Sequence, residues 1–218
     1  MISGITKALS IDYHPKLIEI LIVSTLSGVL SANIIAPLMV AFILHDAVPH
    51  LLIYSWLSLH FMLFVGRVFM SKKLDYFLKI KSDKAIKSLK ITFVLTASTA
   101  LLYTIAAWSS VLYDVPDIRV LMIGTIMMAL VAGSVSTLVS IFHAFVLYLF
   151  INVLPLIAAM IYHGGEMFHI FALVLSIFSL TIFVAGYRQF LTLKNSITLE
   201  VKQERSLKEI EHLNKSLI

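Results

Sequence analysis

Six stretches of the chain are apolar over the roughly 20 residues a helix needs to cross a bilayer. They run from Leu17 to Leu44, Val48 to Met70, Leu89 to Tyr113, Ile118 to Phe142, His143 to Tyr162 and Met167 to Phe190. None shows the period-two alternation of a barrel strand, the other structure that satisfies its backbone in lipid. The pattern therefore predicts an all-α, polytopic membrane helix bundle with six transmembrane helices. Residues that leave a helix or prefer water separate the runs: His45-Asp46 with Pro49, Asp114 to Asp117, and His163 to Glu166. The break between the fourth and fifth runs rests on length and on Ser140 and His143. Pro37 and Pro155 fall inside runs and should kink them.

Two further segments have helical spacing but a different balance. Between Ser71 and Ser88, Leu74, Phe77, Leu78, Ala85, Ile86 and Leu89 recur among lysines. An interfacial amphipathic helix over about 71–88, lying on the inner leaflet, is expected there. After Arg188 the chain turns charged, with no Gly or Pro from Tyr187 to Ile218. Leu207, Ile210, Asn214 and Leu217 then follow an a–d–a–d spacing with Asn at an a position, where it fixes register in parallel dimers. A cytoplasmic coiled-coil-like helix that makes a homodimer is expected over 191–218, beyond a bundle of residues 1–190. The repeat stops after two heptads, which reads as the membrane part of a longer protein cut just before an output domain.

Composition agrees with lipid as the solvent. Of 218 residues, 60% are hydrophobic and 13% charged, against about 25% charged in a soluble domain. Mean hydropathy is +0.97. Cysteine is absent, which excludes disulfides, thiolate nucleophiles and Cys-based zinc sites. No cleavable signal peptide is evident. The net charge of +5 matters less than its placement. Lys7 and Lys16, then Arg67 to Lys90, then Arg188 to Lys215 fall on one side of a six-span chain, and the other side keeps only Arg119. The basic side should be cytoplasmic, with both termini inside. The lipid bilayer is the expected partner, and no nucleic acid is.

Ala132-Gly133-Ser134-Val135-Ser136-Thr137-Leu138, Asn152-Val153-Leu154-Pro155 and the exit Tyr187-Arg188-Gln189-Phe190 into a charged helix give the chain a layout that resembles the multi-span N-terminal sensor region of bacterial diguanylate cyclases and sensor histidine kinases. That resemblance implies an inner-membrane sensor whose last helix passes a signal to a covalently linked cytoplasmic output domain. It does not say whether cyclase or kinase.

Four sets of residues carry candidate chemistry. His45, His50, His163, Glu166 and His169 gather at the outer ends of spans, with imidazole and carboxylate groups suited to a transition metal; the alternative is polar residues collecting where loops are wet. His60 lies at mid-span, a depth at which an ionisable group is costly. It would ligate a b-type haem with His143 or His169, or sit neutral and bond a serine such as Ser98 or Ser136. Small and hydroxylated stripes mark the first span (Ser24, Ser27, Gly28, Ser31, then Asn33) and the fourth (Ala129, Ala132, Gly133, Ser136, Thr137, Ser140). They suit close helix packing or a polar ligand cavity holding His60, Ser136 and Asn33. The two prolines would free carbonyls toward such a cavity.

Acidic residues are nearly excluded from span centres, which argues against a proton-driven transporter. No metalloprotease motif or phosphate-cradling glycine loop occurs, so the chain itself is not expected to be catalytic. The expected function is a membrane sensory domain relaying a ligand or redox signal; the runner-up is a small carrier or channel with a dimerising tail.

Overall fold

The computed structural model describes residues 15–27, 29–80, 82 and 84–216. Its regular structure is all α-helical: α1 (Pro15–Ser27), α2 (Val29–Leu44), α3 (His50–Lys79), α4 (Lys84–Leu112), α5 (Asp117–Leu138), α6 (Phe142–His163) and α7 (Glu166–Ser216). Five of them, α3 to α7, are long and apolar enough to cross a membrane. The first expected run is divided between α1, of 13 residues, and α2, of 16.

Short connections make sequential helices antiparallel neighbours. Pro49 and Pro116 stand at the starts of α3 and α5, where a missing backbone donor costs nothing. Gly164 and Gly165 join α6 to α7 with φ of 79° and 84°, a left-handed backbone that side chains resist. The weak break after the fourth run is a real turn at residues 139–141. The segment 71–88 differs from expectation. It is no single interfacial helix: residues 71–79 extend α3, which ends with a turn at Ile80, and 84–88 begin α4. Its apolar spacing fits the buried faces of two packed helices as well as it fits one helix on a leaflet, because Leu74, Ala85 and Leu89 all enter the core.

The outside of the bundle is apolar. Phe42 is 82% exposed and Leu51 81%, and Met62, Val65, Val94, Leu173 and Leu180 also face outward. Lipid solvates such a surface; water does not. Inside, buried apolar residues form two clusters. One joins α2, α3, α4, α5, α6 and α7 at the end nearer Leu44, Ile53, Val111 and Phe168. The other joins α1, α3, α4, α5, α6 and α7 nearer Leu21, Leu74, Leu89, Phe142 and Phe190.

α6 packs closely on α7. A Cβ built at Gly186 would collide with the ring of Phe145, which is fully buried. Phe142 adds an aromatic cluster there, with ring centroids 5.4 Å from Phe190, 5.6 Å from Tyr187 and 5.9 Å from Phe183. The small stripe of the fourth run behaves otherwise. Ala129, Ala132, Gly133 and Ser136 lie on the exposed face of α5, and a Cβ at Gly133 would meet open space. The side chains of Ser27, Gly28 and Ser31 lie outside the described residues. Gly186→Ala should therefore destabilise the bundle by about 1–3 kcal/mol through overpacking, whereas Gly133→Ala should hold or raise stability by up to about 1 kcal/mol. Unfolding midpoints of both variants in detergent check this; equal effects would mean that the α6–α7 approach is not as tight as drawn.

Candidate functional site

α3 buries little of itself: Met70 and Ser71 near its end, and a heptad line of Ile53, His60, Arg67 and Leu74. Residues seven apart lie two turns on along nearly the same face. The outer two of these enter the two apolar clusters. The inner two are His and Arg, and both are buried, at 2% and 5% exposure. A polar layer thus lies between the two halves of the core.

Beside α3, the layer takes residues from α2, α4 and α6. From α2 comes Asn33, whose Oδ1 accepts a hydrogen bond from Arg67 Nη1 at 3.1 Å. From α4 comes Tyr103, edge-on to the His60 ring at 4.7 Å and 1% exposed. From α6 come Tyr148 and Asn152. Both tyrosines are near enough to Arg67 to interact with its charge. Asn152 donates to the Tyr148 carbonyl at 2.9 Å. On α4, Ser88, Thr92, Thr96 and Thr99 continue the layer as a buried hydroxyl stripe. These threonines donate to carbonyls one turn back, Thr92 to Ser88, Thr96 to Thr92 and Thr99 to Leu95, so they pack in apolar surroundings with their hydrogens satisfied.

The other polar atoms of the layer are not satisfied by protein. Arg67 Nε, Tyr103 Oη, both ring nitrogens of His60 and Asn152 Oδ1 have no hydrogen-bond partner among the described residues. The Trp56 carbonyl faces His60 without completing a bond of good geometry. Ser140 Oγ, in the α5–α6 turn, is the remaining orphan. Buried polar groups are nearly always paired, so the unpartnered Nε of Arg67 and hydroxyl of Tyr103, with the unpartnered atoms of His60 on α3 and Asn152 on α6, mark a place where a further molecule fits chemically. Trp56 closes the layer on one side, with its ring 4.4 Å from His60 and its Nε1 donating to the Leu102 carbonyl at 2.7 Å. Beyond Trp56 an apolar cavity of about 430 Å³ lies between α2, α3 and α4, lined by Leu52, Leu59, Ile105 and Tyr113 among others.

This arrangement revises the expected sites. Arg67 does not belong with the lysines of the connection; it turns inward and holds Asn33. His60 is neutral packing in part, but its ring neighbours are Trp56 and Tyr103 and it bonds neither Ser98 nor Ser136. Ser136 faces out, with its hydroxyl closed onto the Gly133 carbonyl at 2.8 Å, so it does not share a site with His60 and Asn33. Among the described residues no second imidazole stands against His60 as a haem would require: His143 begins α6, and His169 is exposed on the first turns of α7.

The expected metal set is also divided. Among the described residues no three His, Asp or Glu side chains gather as a metal would need. His45 and His50 contact each other with centroids 4.5 Å apart, and His45 Nδ1 lies 3.3 Å from Asp46 Oδ1. Arg119 reaches Asp46 at 3.5 Å and the Ile43 carbonyl at 3.3 Å. The hydrogen bond from His45, then the charge of Arg119, hold the Asp46 carboxyl below its usual range. His163 instead stacks on Phe168 at 3.9 Å and lies 3.6 Å from Asp117. Glu166 and His169 are exposed. These outer side chains tie helix ends together; they do not converge.

The Arg67–Asn33 pair is open to a direct check. Asn33→Ala leaves a buried guanidinium without its one protein acceptor and should cost about 1.5–3 kcal/mol, the range for hydrogen bonds to charged groups. With Arg67→Met already in place the same change should cost far less, and the difference measures the coupling. Equal costs in the two backgrounds, read from unfolding midpoints, would show that the pair does not interact. Compared with known families, curated proteins and solved structures, the chain matches none.

Proposed function

We propose that this chain is a six-span sensory domain of a bacterial inner membrane, with both termini cytoplasmic, in which the state of the polar layer is relayed by α7 to a dimeric tail and an output domain joined to it. The observation that carries the reading is α7 itself. It is one helix of 51 residues, about 76 Å long at 1.5 Å per residue, more than twice the roughly 30 Å hydrocarbon core. Its first part is built into the bundle through Phe168, Ala172 and Leu175, and its middle through Phe190. Its last part presents Leu207 and Ile210 at 66% and 55% exposure. Leu217 and the side chain of Asn214 lie outside the described residues. A helix unbroken between bundle and tail carries a shift or rotation with little loss.

In this reading α1 and α2 together make the first crossing. Lys16 at the start of α1 lies 2.8 Å from Glu200 and 3.0 Å from Glu204 on the tail. That pairing supports an even number of crossings, since the beginning of the chain then meets its end on one side. Lys72, Lys73, Lys84, Lys87 and Lys90 would share this side, as a cytoplasmic face requires. A ligand drives such a device only if it favours one arrangement of the helices over another; the orphan groups of the polar layer supply the contacts that would differ.

The cysteine-free sequence makes the test simple. In membranes, Leu207→Cys and Ile210→Cys should form disulfide dimers, while Lys208→Cys and Glu209→Cys should not, as a coiled-coil seam demands. Adding Tyr103→Phe, a change confined to the polar layer, should alter the rate of Leu207→Cys crosslinking several-fold. A rate indifferent to the layer would sink the relay, and uniform crosslinking along the tail would sink the seam. Solute movement by the purified chain in liposomes, with the tail unaffected, would favour a carrier instead.

A further inference from the structure

We infer that the polar layer binds an oxyanion, a carboxylate or phosphate group, against Arg67. The inference deepens the sensory reading by naming the ligand class of its site, and depends on that reading only for what binding does afterwards.

Charge makes the first argument. A guanidinium stays protonated in proteins, and Arg67 is buried among helices that offer lipid, not water, on their outer faces. Its one hydrogen-bond partner is a neutral amide. Among the described residues it makes no ion pair with a carboxylate, the acidic side chains being at helix ends or on the tail, as with Asp46, Asp75, Asp117, Glu200 and Glu204. Water can complete the hydrogen bonds of a buried cation but does not cancel its charge, and a buried charge without a counter-charge is costly.

Hydrogen-bonding sense makes the second. Arg67 Nε–H, the Tyr103 hydroxyl and one N–H of His60 are orphan donors, against Asn152 Oδ1 and the other His60 nitrogen as orphan acceptors. The three donors are on residues no more than 5% exposed. One of them is charged, and a cluster led by a charged donor calls for an acceptor carrying negative charge. A metal cation would meet the guanidinium as a like charge, and a purely apolar ligand would leave every orphan as it is. The apolar clusters on both sides keep the local dielectric low, which strengthens an Arg–oxyanion contact once formed.

Depth bears on the source. Arg67 lies seventeen residues beyond His50, about 25 Å along α3 at the helical rise, close to the inner limit of a hydrocarbon core about 30 Å thick. An inner-leaflet lipid headgroup and a small cytoplasmic oxyanion both reach that level. The experiment therefore has two arms, on the full chain in nanodiscs. In phosphatidylcholine discs, inorganic phosphate and acetate are titrated by calorimetry. In discs containing phosphatidylglycerol or phosphatidic acid, native mass spectrometry counts the anionic lipid retained by the protein. Saturable binding in the first arm identifies a solute oxyanion, and retention of anionic lipid in the second identifies a headgroup. In whichever arm binds, Arg67→Gln should weaken binding by about tenfold or more, the loss expected for a charged hydrogen bond. Tyr103→Phe, which removes only one oxygen from a residue of unchanged shape, should weaken it several-fold and serves if Arg67→Gln does not fold. No binding in either arm, or binding that neither substitution weakens, overturns the inference. Binding that leaves Leu207→Cys crosslinking unchanged would sink the relay and leave the oxyanion site standing; a layer-dependent change in crosslinking with no binding would do the reverse.

Discussion

A guanidinium buried inside an apolar bundle is the constraint around which the rest of this structure is arranged. Arg67 has to be approached by polar groups from several helices at once, because no single helix can surround it. Asn33 comes from α2, Tyr103 from α4 and Tyr148 from α6, and the apolar core is interrupted at that level. The interruption explains why the buried hydrophobic residues fall into two clusters. It also explains the composition of α4, where Ser88, Thr92, Thr96 and Thr99 stand at positions that would otherwise be Leu or Val. The three threonine hydroxyls bond back to their own helix, so they give the layer polarity without adding unpaired donors.

The five long apolar helices were legible because length and hydropathy read them directly, and because the lipid-facing residues that dominate those sums need no partner. What was not legible was direction. Arg67 falls near the end of an apolar run, where hydropathy cannot distinguish an arginine that snorkels outward from one that turns in. The signal that does distinguish them is the heptad Ile53, His60, Arg67, Leu74, which places Arg67 on the face of its buried neighbours. The stripe of Ala129, Ala132, Gly133 and Ser136 was visible as a stripe, but its packing direction was not, and it faces outward. The outer histidines were read as a group because loops collect them. Their actual neighbours are set by which helix ends meet, so His45 joins Asp46 and His163 joins Phe168 and Asp117. The end of α3 at Lys79 and the start of α4 at Lys84 were hidden for a related reason: apolar spacing persists across both, since the two helices bury the same kind of face.

The packing that joins the polar layer to α7 is carried by α6. Tyr148 and Asn152 belong to the layer, and Phe145, one turn before Tyr148, fits against Gly186 of α7 with no room for a side chain between them. Phe142, nearly one turn earlier still, gathers Phe183, Tyr187 and Phe190. These are the last residues of α7 before its composition turns charged. A packed interface of this kind is bistable rather than soft: α6 cannot slide a little past Gly186 without the Phe145 ring finding a new seat. In the proposed reading, a counter-charge at Arg67 changes the balance between such seats.

The Lys16 clamp adds a second constraint on the same helix. Lys16 holds Glu200 and Glu204 one turn apart on α7, and those two bonds raise the affinity of Lys16 for its proton while Lys16 lowers that of Glu204. Because the groups are exposed, the clamp is weak and screened by salt. A weak clamp suits a moving part. Its contribution is present above the ordinary carboxylate range, where both partners are charged, and fades as the pH falls through the lowered value of Glu204. It ties the tail to α1 without locking it, whereas the buried contacts of α6 on α7 are tight and indifferent to salt.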